Sequence, residues 1–176
     1  MKKIIVMGGS NSSASINRTL AQYTAKHVDG AETTTIDLSK TVLPLYSPDL
    51  EKASGIPDAV KDIDALIASA DGIILSLAEY NGSYAAAFKN AFDWLSRINM
   101  KVWKEKPMLL MSTSPGKGGA GHVLATAKSG FPFFGGNVVA DFSLPSFNDN
   151  FVDGEIKDAE FKKALLEKVK IFQQAI

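Results

Sequence analysis

The sequence predicts an α/β fold, a parallel sheet covered by helices on both faces. Strand-like and helix-like segments alternate along its 176 residues. Some of the strand-like runs are continuously apolar, as strands buried on both faces are. No internal repeat or low-complexity linker divides the chain, so one domain over residues 1–176 is expected.

Residues 4–7 open the pattern with an apolar, β-branched run. Residues 16–28 place Ile16, Leu20, Tyr23, Ala25 and Val28 on a helical stripe. Residues 32–36, with three consecutive threonines, read as the second strand, and residues 43–49 as a loop rich in turn signals. Ile56, Val60, Ile63, Ile67 and Ala70 mark one face of a helix. Residues 72–77, 108–111 and 137–140 are strands three to five. A helix over 84–98 joins the third to the fourth, and a shorter one over 121–129 joins the fourth to the fifth. Phe161, Leu165, Val169 and Phe172 give a C-terminal helix. Five strands and five helices in this alternation suggest a flavodoxin-like three-layer fold with strand order 2-1-3-4-5. Such sheets bind ligands beyond the carboxyl ends of their strands, which directs attention to the loops after strands one, three and four.

Composition excludes several classes. Lys plus Arg equals Asp plus Glu at 19 each, so the neutral chain has no basic footprint for nucleic acid. The absence of cysteine excludes disulfides, thiolate zinc sites and cysteine nucleophiles, and fits a reducing, cytoplasmic setting. The apolar run after Lys2 and Lys3 meets Gly8 and Gly9 too soon for a secretory core, and no stretch is long enough to span a membrane.

Each of the three loops has its own chemistry. The first, from Gly8 to Asn17, carries Ser10, Ser12, Ser13 and Ser15, the asparagines Asn11 and Asn17, and no lysine. It lacks both the P-loop and the G-x-G-x-x-G pattern. Its hydroxyls, with the free N–H groups of a helix N-terminus beginning at Ile16, suit a terminal phosphomonoester such as that of FMN. Turn formation and helix capping alone would also use these residue types. In the second loop Tyr80 could lie against an aromatic ring, Asn81 could read polar edges, Gly82 permits a tight turn, and Ser83 reads as a helix cap. The third, from Ser112 to Gly121, holds Gly116, Gly118 and Gly119, which let backbone pack on a flat ligand.

These residues resemble the NADPH-dependent FMN reductase family, which includes flavodoxin-like quinone, chromate and azo-dye reductases. The resemblance runs through Gly9-Ser10 to Ser15-x-Asn17, residues 43–51, Glu79-Tyr80-Asn81-Gly82-Ser83, Lys89-Asn90-Ala91-Phe92-Asp93-Trp94, and Ser114 to Gly119. It implies that Ser10, Ser15 and Asn17, with Ser12 and Ile16 on the same loop, hold the FMN phosphate. It implies that Glu79, Tyr80, Asn81 and Gly82 border the ring system, and that Ser114, Gly116 and Gly119 contact its far edge. The family often has arginine where this chain has Asn11, and proline where it has Ala78. The first departure implies a weaker grip on NADPH and phosphate, the second a less rigid loop.

The expected chemistry needs no catalytic side chain, because a flavin carries it. We expect an oxidoreductase that takes hydride from NADPH or NADH and passes it to a small acceptor, a flavin or quinone, by ping-pong kinetics. A flavodoxin-type electron carrier and a redox-sensing flavoprotein without turnover are the alternatives. His27 reads as an exposed helix-end residue, His122 as structural, and Glu79 and Asp93 as partners for Lys or Arg. No metal site is expected. A homodimer, or a tetramer, is expected through the helix over 84–98, whose apolar residues, Trp94 included, cover more than one face.

Overall fold

A computed structural model describes residues 1–176. The elements run β1 (Lys2–Gly9), α1 (Ile16–Ala25), β2 (Ala31–Ile36), α2 (Pro48–Ser54), α3 (Asp58–Ser69), β3 (Gly72–Leu77), β4 (Glu79–Tyr80) and β5 (Ser83–Tyr84). They continue with α4 (Ala86–Ile98), β6 (Pro107–Thr113), α5 (Gly121–Gly130), β7 (Asn137–Leu144), α6 (Phe147–Asn150), β8 (Phe151–Val152), β9 (Glu155–Ile156) and α7 (Ala159–Ala175).

The five long strands pair in parallel in the order β2-β1-β3-β6-β7, which is 2-1-3-4-5 when the long strands alone are counted. Successive side chains on a strand point to opposite faces, so each inner strand feeds two cores. Ile5, Met7, Ile73, Leu75, Met108 and Leu110 pack under α3, α4 and α5. Ile4, Val6, Ile74, Leu109 and Met111 pack under α1 and α7. That double burial is why Ile4 to Met7 of β1 reads as an unbroken apolar run. Each fully buried Leu or Ile contributes about 1.5–3 kcal/mol. No helix is long and apolar enough to cross a membrane.

Local chemistry sets the helix starts. Ser15 caps α1 by accepting the Arg18 N–H, and Asp158 caps α7 by accepting those of Glu160 and Phe161. Ser47 caps α2, with Pro48 in its first turn. This helix lies where a loop was expected, and its cap and proline are the signals for it. Two other departures concern the second loop. Asn81 and Gly82 both have positive φ, 52° and 74°, and close a two-residue hairpin between β4 and β5. Ser83 is therefore a strand residue and not a cap, and α4 starts at Ala86.

The outer face expected on α4 is not free. Phe88, Ala91, Phe92, Trp94 and Leu95 are all buried within the chain. The Trp94 indole donates to the Pro44 carbonyl at 2.8 Å, and the Tyr46 ring meets Trp94 edge-on at 5.0 Å. The loop over residues 43–46 folds back and covers this helix, which removes the reason for placing a partner there.

Candidate functional site

Strand order reverses between β1 and β3, since β2 follows on one side of β1 and β3 on the other. At the carboxyl ends of β1, β3 and β6 a cleft of about 250 Å³ opens. Its walls are Ser10, Ser12 and Ala14 to Asn17 from the first loop, Ala78 to Tyr80 from the second, and Thr113 to Pro115 from the third. A larger cavity of about 490 Å³ lies between α1 and edge strand β2, away from all three loops. Among the residues expected to form a site, Ser10, Ser12, Ser15, Ile16, Asn17, Glu79, Tyr80 and Ser114 line the cleft. Asn81, Gly82, Gly116 and Gly119 do not.

The first loop has an inventory of unused donors. Ser10 Oγ accepts the Ser12 N–H, Ser12 Oγ accepts the Ala14 N–H, and Ser15 Oγ accepts the Arg18 N–H. None of these hydroxyls donates to the protein, so each has a proton for an acceptor in the cleft. The backbone N–H groups of Asn11, Ser13, Ser15, Ile16 and Asn17 likewise have no acceptor within the chain. Successive free N–H groups at a helix N-terminus form an anion-binding concavity. The donor set is neutral, and it fits a phosphate ester.

Asn17 has a different duty. Its Oδ1 accepts from the Ser76 hydroxyl at 2.7 Å and from the Thr113 N–H at 3.0 Å, and its Nδ2 donates to the Thr113 carbonyl at 3.1 Å. The buried side chain ties the start of α1 to the ends of β3 and β6. Only its backbone N–H is left for a ligand. Gly8 makes the neighbouring approach possible, because a Cβ there would collide with the Arg18 backbone.

Arg18 escaped the sequence reading. Its guanidinium meets Asp37 at 2.6 Å, reaches Ser39 Oγ, and donates to the carbonyls of Ser12 and Ser13. Asp37 also accepts the Ser39 N–H and hydroxyl. Burial pushes the Asp37 pKa up, but the bonds from Ser39 and the charges of Arg18 and Lys40 outweigh it and hold it below the ordinary carboxylate value. An arginine three residues after the end of a serine-rich run was the available signal.

On the opposite wall, Tyr80 is 58% exposed beside the cleft. Glu79 takes no cation as partner: its Oε2 accepts the Val123 N–H at 2.8 Å, at the start of α5. Asp93 pairs with Lys89 as expected. The third loop is fixed at Gly119, whose carbonyl accepts from both Ser112 and Ser143. Gly119 has φ 57° and no room for a side chain against Ser143 and Pro145, so its glycine serves packing. His122 is exposed at the start of α5 and outside the cleft. His27, expected to be exposed, is half-buried with its ring edge-on to Tyr23 at 4.8 Å.

Comparison with known proteins adds three relatives. A family model described as NADPH-dependent FMN reductase matches residues 2–149. An NADPH:quinone oxidoreductase of Arabidopsis thaliana is 39% identical over 102 residues, 58% of this chain and 50% of that protein. A quinone reductase of Escherichia coli (strain K12) is 32% identical over 114 residues, 65% of this chain and 61% of the relative. The matches thus span about half to three fifths of these curated relatives. Among solved structures, the flavoenzyme NAD(P)H:(acceptor) oxidoreductase FerB from Paracoccus denitrificans superposes with a TM-score of 0.79 at 29% identity, covering 99% of this chain and 97% of that one.

Proposed function

The chain belongs to the NADPH-dependent FMN reductase family, and from that premise we propose that it is an NAD(P)H-dependent, FMN-containing oxidoreductase acting on a quinone, flavin or similar small acceptor. The observation that carries the reading is the neutral cradle at the start of α1, in which Ser10, Ser12 and Ser15 each have an unused hydroxyl proton beside unpaired backbone N–H groups. Bound FMN would supply the hydride chemistry. The residues of the chain hold and orient. The serines donate to the phosphate, the exposed Tyr80 borders the ring system, and Glu79 clamps the β4–β5 hairpin to α5. NAD(P)H and the acceptor then use the open side of the cleft in turn. A cysteine-free chain suits a cytoplasmic, reducing setting.

The cleft is smaller than the roughly 300–1,000 Å³ that encloses a drug-sized ligand, so one side of a bound ring needs a cover. Val42, Leu45 and Tyr80 are 92%, 82% and 58% exposed. Val42 lines a second cleft with Asn11, the neighbour of Ser10 and Ser12. A second copy of the chain, meeting this rim rather than α4, is the proposed cover.

The test is reconstitution with FMN, mass identification of the released chromophore, and steady-state NAD(P)H oxidation with a small quinone. The reading expects FMN and parallel double-reciprocal plots. Recovery of FAD, or FMN binding without turnover, would overturn it, the latter in favour of an electron carrier.

A further inference from the structure

Arg18 is the one arginine beside the cradle, yet its charge is already paired with Asp37. It is also turned toward protein carbonyls, those of Ser12 and Ser13. In a trans peptide the C=O and the following N–H point in opposite directions. Holding the Ser12 carbonyl therefore directs the Ser13 N–H away from the guanidinium. Holding the Ser13 carbonyl does the same for the Ala14 N–H, which donates to Ser12 Oγ in the cleft wall. The Ser13 N–H is one of those without an acceptor in the chain. The guanidinium thus fixes two consecutive peptide planes.

We infer that Arg18 is a positioning residue for phosphate recognition: with Asp37 it locks two peptides of the loop so that one leaves the Ser13 N–H free and the other, through the Ala14 N–H, orients the Ser12 hydroxyl, while both carbonyl oxygens stay turned away from a phosphate ester. The inference rests on the proposed reading of the cleft as an FMN site. Arginine suits this task where lysine does not, because its planar fork donates to several acceptors at once and an ammonium is a point charge. Freed from Arg18, either peptide can rotate and bring a carbonyl dipole toward the anion. Asp37 extends the lock to the next loop, since its carbonyl accepts from Thr41 and its carboxylate holds Ser39, and both of these residues line the second cleft.

Riboflavin has the ring of FMN without the phosphate, and the affinity ratio of the two isolates this effect. Calorimetric titration of the apoprotein with each should give a strong preference for FMN in the parent protein. Arg18→Ala should cut that preference by about tenfold or more, with riboflavin affinity nearly unchanged. Arg18→Lys keeps the positive charge near Asp37 but not the fork, and should lose most of the preference as well. A parental ratio in Arg18→Lys would assign the effect to charge and overturn the inference, as would equal losses for both ligands. If Arg18→Ala does not fold, Arg18→Lys carries the test by itself. A parent protein that fails to prefer FMN over riboflavin would instead sink the reading of the site.

Discussion

Ser15 and Asn17 lie two residues apart and do different work. Ser15 caps α1 and has a proton to give, so Ser15→Ala should cost about 1 kcal/mol of stability and also weaken FMN binding by about tenfold or more. Asn17→Ala should destabilise the apoprotein more, because it strands Ser76 Oγ and both backbone groups of Thr113 in the interior. Each stranded group costs about 1–3 kcal/mol. Urea unfolding of the two apoproteins checks this, and the reverse order would contradict the assignment. Gly119→Ala should be destabilising by more than the roughly 1–2 kcal/mol of a left-handed backbone, since the new methyl also strikes Ser143. The composition of the cradle was legible in the sequence. The fate of the Asn17 side chain was not, because its partners come from 59 and 96 residues away.

Among the elements, the turn that follows α1 carries a pH dependence through His27. The pKa of His27 is held below the ordinary imidazole value by burial first and then by Lys162 of α7 and Lys26, with Glu155 of β9 opposing. Its Nε2 has no hydrogen-bond partner. A depressed folded pKa means that the unfolded chain takes the proton first. The stability contribution is therefore whole above about pH 6.5, falls as the pH drops below it, and is lost once the folded-state pKa is passed. His27→Gln should flatten that part of the stability-versus-pH curve, measured by urea midpoints; an unchanged curve would refute the assignment. On α4, Trp94→Phe removes the bond to Pro44 and should cost about 0.5–1.5 kcal/mol while loosening residues 43–46 to proteolysis. Periodicity located α4 but not its cover. The stripe shows that a helix is apolar on two sides; it does not show that a distant loop folds onto the second. The Asn81-Gly82 pair did signal a hairpin, but two residues on each side are too few to stand out as strands.

At the scale of the molecule, the strand order was readable because alternation and double-sided burial leave few arrangements of the sheet. The open rim was not, since exposure of Val42 and Leu45 depends on how the loop after β2 is held. If a second copy covers that rim, sedimentation at micromolar concentration should give twice the chain mass, and Leu45→Glu should yield a folded monomer with impaired turnover. A monomeric parent protein would refute the assembly. The two cores also differ in the light they emit. Both tryptophans, Trp94 and Trp103, belong to the core under α3, α4 and α5, and the core under α1 and α7 has none. Tryptophan emission therefore watches only one side of the sheet, while the side built on the cradle's own helix can loosen unseen. Far-UV circular dichroism sees both. Coincident melts would mean that the two sides unfold as one unit, and a dichroism change that precedes the emission change would mark the α1–α7 side as the first to give way.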